Sequence, residues 1–145
     1  LLVGDGELRK QIEEKVKTLN LTDKVIFTGV RRDVSELMQA MDVFVFPSNY
    51  EGLPVTLIEA QASGLPCIIS DKVPIECKKT DLVQQIRLAE GADVWADKIS
   101  KMAQIKRKNT YNEIKASGFD IEENAKKLQE FYLHAFDGKD RLCLY

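Results

Sequence analysis

The sequence predicts an open, mostly parallel α/β sheet with flanking helices and a helical C-terminus. Short apolar runs alternate with stretches whose apolar residues recur at helical spacing, the order expected of repeated strand–helix units. Glycines, prolines and acidic capping pairs stand at the junctions. From Asp120 onward a single helical pattern persists.

Residues 1–3 read as a strand, Gly4-Asp5-Gly6 as a tight turn, and Leu8, Ile12, Val16 and Leu19 as the apolar stripe of a helix. Residues 24–28 are a second strand. Asp33, with Glu36 three residues on, predicts a capping box opening a helix through Leu37, Met38 and Met41. The nearly continuous apolar run 42–47 predicts a strand buried on both faces, ended by Pro47. Pro54 at the start, and Gly64 followed by Pro66 at the stop, bound a helix over about 54–63. Residues 65–70 form the next buried strand. Beyond Asp71 the pattern weakens to a short strand at 83–88 and a helix at about 93–102. Thr110 with Glu113, and Asp120 with Glu123, predict two more capping boxes. The second opens a helix to about Phe136, carrying Ile121, Ala125, Leu128, Phe131, Tyr132 and Ala135. With no repeat, low-complexity tract or linker, the chain reads as one domain or a piece of one.

Its 145 residues, 44% hydrophobic and 30% charged, suit one globular core. A formal net charge of -2 lacks the basic excess that duplex nucleic acid or anionic lipid selects, so any phosphate must be bound locally. Cys67, Cys77 and Cys143 are odd in number and none forms a Cys-x-x-Cys pair, which points to a reducing, cytoplasmic compartment. Cys67 sits in an apolar run and is expected in the core. A single histidine, His134, excludes a His-based triad or histidine-rich metal site within the chain, and is expected on a helix surface. No window has the purity of a membrane span and no signal peptide is evident. The chain opens on Leu1-Leu2-Val3 without methionine or cap, so sequence upstream is expected.

Three places offer chemistry. Gly4-Asp5-Gly6 lies between strand and helix as a dinucleotide fingerprint would, but Arg9 stands where the third glycine belongs; a tight turn without ligand is the other reading. Gly29-Val30-Arg31-Arg32 follows the second strand, at the edge where open α/β sheets bind ligands, and its arginines read equally as solvated surface charges. The third is Glu51 and Glu59, seven residues between them, one in the loop after a buried strand and one in the next helix. There the helix N-terminus offers unpaired amides to a pyrophosphate, Gly52 admits a close ligand, and Leu53, Val55 and Thr56 are the donors because Pro54 has no N–H. Glu59 can accept from two adjacent hydroxyls, as acidic residues do from ribose in dinucleotide folds. Against this stands the plain preference of acidic residues for early helix positions and of Glu-Gly pairs for loops.

These residues resemble a known family. The segment Asp42-Val43-Phe44-Val45-Phe46-Pro47-Ser48, then Glu51-Gly52-Leu53-Pro54, Leu57-Ile58-Glu59-Ala60 and Gly64-Leu65-Pro66, is similar in order and register to the Glu-x7-Glu signature of the retaining glycosyltransferases of group 1, also called family 4. The likeness extends more loosely from Leu1 to about Asp137, including Val3-Gly4-Asp5-Gly6 and Phe27-Thr28-Gly29; Ser70-Asp71-Lys72-Val73-Pro74 looks most like bacterial exopolysaccharide and capsule enzymes.

The resemblance implies the C-terminal half of a GT-B fold, a Rossmann-like sheet lacking its first βα unit, as a single partial donor-binding domain over 1–145. The acceptor, a glycan or lipid-linked sugar, would bind an N-terminal domain absent from this chain. It further implies a nucleoside-diphosphate sugar donor, a UDP-sugar, transferred with retention by front-face departure and without metal or other cofactor. By position, Glu51 is the catalytic carboxylate facing the sugar's hydroxyls and Glu59 faces the ribose. The amides after Gly52, those of Leu53, Val55 and Thr56, face sugar or phosphates and the Val30 backbone the base, with Gly29, Arg31, Ser48 and Gly52 completing the donor site. A cytoplasmic protein docking peripherally at the inner face of the plasma membrane follows from the same likeness.

Two departures limit the carry-over. The family commonly has Gly-Gly where this chain has Lys72-Val73-Pro74-Ile75-Glu76, and its pyrophosphate-binding Arg and Lys lie upstream. Two carboxylates repel a pyrophosphate, and a helix terminus worth about 0.3–1 kcal/mol per charge does not compensate. Only Arg31, Arg32 and Lys72 stand nearby as cations. The chain alone is therefore expected to bind donor weakly and transfer nothing. A non-catalytic nucleotide-sugar-binding or scaffold domain is the alternative from another class. A nucleotide-sugar 2-epimerase shares the architecture but is disfavoured by Pro-Ser upstream of Glu-x7-Glu.

Overall fold

The computed structural model describes residues 1–136; Cys143 and the resemblance's limit at Asp137 lie outside the described residues. The chain forms two compact units, Leu1–Ala40 and the part from Met41 onward.

In the first unit β1 (Leu2–Val3) pairs in parallel with β2 (Phe27–Gly29), and α1 (Arg9–Thr18) makes the crossover between them. β2 is shorter than its apolar run and displaced toward Gly29, because the amides of Lys24 and Val25 turn back onto the Leu21 carbonyl. α2 (Val34–Ala40) follows, but not through a capping box. The Asp33 carboxylate is bound by the Arg31 guanidinium, so only the Asp33 carbonyl receives the first helical amides, those of Glu36 and Leu37 at 3.1 Å.

The second unit contains a three-stranded parallel sheet in the order β3-β4-β5: Phe44–Phe46, Cys67–Ser70 and Val83–Ile86. In β4, at the centre, Cys67, Ile68, Ile69 and Ser70 are all fully buried. Since successive side chains alternate faces, that pattern requires cover on both sides. α3 (Val55–Ala62) and α4 (Ala92–Met102) both contact β4. Ile68 joins Ile86 with Trp95 and Met102 of α4 in one cluster. α3 buries Leu57, Ile58, Ala60 and Gln61, the i, i+1, i+3, i+4 stripe of an amphipathic helix. Against expectation β3 is not buried throughout: it is the edge strand of this sheet and Val45 is 36% exposed.

The C-terminal end of α3 is closed by tertiary contacts. Ser63 ends the helix and Gly64 follows at φ 66°, where a Cβ would stand 2.1 Å from the Lys108 carbonyl oxygen, so glycine is required twice over. Arg107 donates to the Ser63 carbonyl at 2.9 Å and the Thr110 hydroxyl to that of Gln61 at 2.6 Å, satisfying carbonyls that a helix end leaves orphaned. Thr110 consequently does not cap α5 (Tyr111–Ala116); its hydroxyl faces α3, and the Asn109 side chain accepts from the Tyr111 amide instead. The Asp120 box does form its cap, Oδ1 accepting from the Glu123 amide at 2.9 Å, ahead of α6 (Ile121–Phe136). No α6 residue is buried, and His134 lies exposed on it as expected. Cys67 is in the core, where burial pushes its thiol up to about 12.

Candidate functional site

Pro47 has no N–H to continue a ladder, so the chain leaves β3 there and runs through residues 48–53 before Pro54 starts α3. Pro54 occupies the N-cap in extended geometry, and its carbonyl accepts the first helical amide, that of Leu57, at 3.0 Å. The amides of Val55 and Thr56 precede that bond and have no acceptor among the described residues. Two open N–H groups and the positive end of the helix dipole thus face out beside Gly52.

The loop is fixed from beneath. The Ser70 hydroxyl, at the end of β4, donates to the Ser48 carbonyl. The Cys77 thiol, in the short 3-10 turn Ile75–Cys77, lies 3.7 Å from the Gly52 carbonyl. All peptides of the described residues are trans, so a carbonyl drawn inward turns the following amide outward; the amides of Asn49 and Leu53 therefore point away from these contacts. Between them the Ser48 hydroxyl donates to Glu51 Oε1 at 2.8 Å. The Tyr50 carbonyl is also within 3.1 Å, but a hydroxyl has one proton and the carboxylate is the closer, charged acceptor. Glu51 is half-buried. Burial above all pushes the Cys77 thiol up, which keeps it a neutral donor to Gly52.

Glu59 lies on the exposed side of α3, on the turn after the open amides, with a side chain that forms no bond among the described residues. Gly52, Leu53, Val55 and Thr56 are likewise exposed. The structure therefore joins Ser48 and Glu51 by a hydrogen bond, beside Gly52, whose carbonyl faces Cys77. Lys72 is exposed, and its amide donates to the Ser70 hydroxyl at 3.3 Å. The Lys72–Glu76 segment that replaces Gly-Gly is anchored by the buried Val73, whose carbonyl accepts from Gln85 at 2.8 Å.

Gly29, Val30 and Arg31 belong to the first unit. Gly29 takes φ 67° at the end of β2, and Val30 is 79% exposed, leaving its backbone accessible. Arg31 is engaged: its guanidinium grips Asp33 through two nitrogens, which raises the Arg31 pKa and lowers that of Asp33, the bond itself being the larger cause in each. Gly4-Asp5-Gly6 links β1 to α1. The Gly6 amide donates to its neighbour Asp5 at 2.8 Å, and Arg9 pairs with Asp5 and Glu13, so the turn's donor already has an anion.

Ser70, Cys77 and Gln61 are the residues that sequence reasoning missed. Gln61, fully buried in α3, donates to the Leu57 and Cys77 carbonyls and accepts from the amides of Lys79 and Thr80 and the Thr80 hydroxyl. It fixes the chain that carries Cys77. A polar residue at a buried position of an apolar helix stripe was the available signal.

The chain matches the family of glycosyl transferases group 1 over residues 1–119. It is 43% identical over 139 residues to the putative glycosyltransferase EpsF of Bacillus subtilis, covering 91% of this chain and 35% of that protein. It is 32% identical over 140 residues to UDP-Gal:alpha-D-GlcNAc-diphosphoundecaprenol alpha-1,3-galactosyltransferase of Escherichia coli, covering 92% and 36%. The chain thus spans about a third of the length of these relatives. Among solved structures, sucrose-phosphate synthase from Thermosynechococcus elongatus superposes with a TM-score of 0.74 at 26% identity, over 92% of this chain and 35% of that one. The parallel sheets with flanking helices agree with the GT-B fold of such neighbours.

Proposed function

Since the chain belongs to the glycosyl transferases of group 1, we propose that it forms the donor-binding part of a retaining, family 4 enzyme. That enzyme would move a hexose or N-acetylhexosamine from a nucleoside diphosphate onto a lipid-linked or glycan acceptor in cell-surface polysaccharide assembly. The observation that carries the reading is Glu51, oriented by Ser48 in a loop whose outward edge is the open amide end of α3.

In this reading the amides of Leu53, Val55 and Thr56 face the diphosphate or sugar, where they stabilise negative charge developing on the leaving phosphate. Glu51 holds the sugar's hydroxyls and opposes positive charge building on its ring, and Glu59 accepts from the ribose diol. Gly29 and the Val30 backbone serve the base, and Arg31 reaches a phosphate only by exchanging Asp33 for it. The E. coli relative's name gives UDP-Gal as donor, which supports a uridine nucleotide here. The reaction is read as metal-independent, and membrane association as peripheral. The acceptor, and cations opposing the diphosphate, are assigned to the remainder of a chain of the relatives' length, so residues 1–145 alone are expected to release no sugar.

The test is transfer by a protein of the relatives' length that contains this chain, with UDP-glucose, UDP-galactose and their N-acetylamino forms as donors. Each charge-assisted bond is worth about 1.5–3 kcal/mol, so Glu51→Ala should lower kcat and kcat/KM together by about ten- to a hundredfold. Glu59→Ala should act mainly by raising the donor KM, since ribose contacts are alike in ground and transition states. Wild-type rates in both variants would end this assignment.

A further inference from the structure

We infer that Ser48 and Ser70 are positioning residues for the sugar-facing carboxylate, forming a two-bond relay from the end of the central strand to Glu51. The inference rests on the reading of Glu51 given above and asks what holds that side chain in place.

The relay starts in the best-fixed part of the molecule. Ser70 is fully buried on β4, whose backbone is paired on both sides, with β3 and with β5. Its hydroxyl donates to the Ser48 carbonyl and accepts from the Lys72 amide, so both of its capacities are directed. The Ser48 backbone is thereby tied to β4, and the Ser48 hydroxyl donates to Glu51 Oε1 at 2.8 Å. No arginine or lysine shares the Glu51 carboxylate in an ion pair among the described residues. A glutamate has three rotatable side-chain bonds, and among the described residues only the Oε1 of Glu51 has a hydrogen-bond partner, this serine. The other oxygen, Oε2, is left for a ligand hydroxyl. The chemical need is plain: a carboxylate that must meet one hydroxyl in a transition state gains from having its rotamer fixed beforehand, and a neutral donor fixes it without cancelling its charge. Ser48 thus serves the donor through Glu51.

The experiment compares Ser48→Ala, Ser48→Thr, Glu51→Ala and the double variant Ser48→Ala/Glu51→Ala in a protein of the relatives' length. UDP release is measured from an equimolar mixture of UDP-glucose, UDP-galactose and their N-acetylamino forms. Ser48→Ala should lower kcat/KM about tenfold, and Ser48→Thr, which keeps the hydroxyl, should remain within about threefold of wild type. In the Glu51→Ala background the same serine change should cost less than about twofold, because the group it acts through is gone. Equal losses in both backgrounds, or a threonine variant as impaired as the alanine one, would overturn the relay. Wild-type turnover by Glu51→Ala would instead overturn the reading of the site. A measurement that needs no donor stands beside these: a crystal structure of Ser48→Ala should show the Glu51 carboxylate spread over more than one rotamer, and a single unchanged rotamer would refute the proposal.

Discussion

At the scale of single residues, the buried polar groups matter most. Gln61 alone accounts for five hydrogen bonds, and its Oε1 is an acceptor for two amides and a hydroxyl. Gln61→Leu keeps the volume but orphans the Thr80 amide in a buried site, at about 1–3 kcal/mol for each group left unmet. Urea unfolding of the variant should show a loss of about 2–4 kcal/mol with unchanged slope. Because the same side chain holds the Cys77 carbonyl, and Cys77 holds Gly52, the loss should be felt at the loop as well. Glu51 and Glu59 were legible in the sequence because a motif fixes their spacing. Ser70 was not, because a serine ending an apolar run looks like any strand terminus until the Ser48 carbonyl is placed against it.

At the scale of elements, sequence patterning predicted every strand and α-helix of the described residues in order but not the 3-10 turn Ile75–Cys77, while cap chemistry was predicted well once in three. The failures share a cause: a side chain able to cap a helix found a better partner. Asp33 met a guanidinium two residues away, and Thr110 met a carbonyl of α3. Asp120 kept its cap, and the Glu123 amide, ahead of the neighbouring Lys115 and Tyr111, holds its carboxyl below the usual value of 3.8. A carboxylate with a depressed native pKa stabilises the fold above its unfolded pKa, and that contribution disappears as pH falls through the native value. Asp120→Ala should therefore lower the melting temperature at pH 7, and the gap from wild type should close as pH falls below about 3.8, which melts at pH 7, 4 and 2.5 would check.

At the scale of the molecule, stability is concentrated in the part from Met41 onward. β4 is buried on both faces there, whereas in the first unit α1 has no buried residue and β1 is exposed along its length. Amide hydrogen exchange should be slowest in β4 and β5, approaching the global unfolding limit, and markedly faster in β1 and α1. Equal protection across both parts would contradict this ordering. The loop at 48–53 leaves the protected sheet directly, so the candidate site combines a rigid base with an exposed edge. Among the described residues no helix is long and apolar enough to cross a membrane. The sequence by itself determined the fold class, the order of the elements and the spacing of the two candidate carboxylates, because periodicity and motif spacing act over a few residues. Only the tertiary structure decided what holds the loop and the end of α3: the Ser70 and Cys77 contacts bridge 22 and 25 residues, and Thr110 reaches Gln61 across 49. A hydrogen bond between distant residues depends on where the chain returns in space, and local sequence does not encode that place.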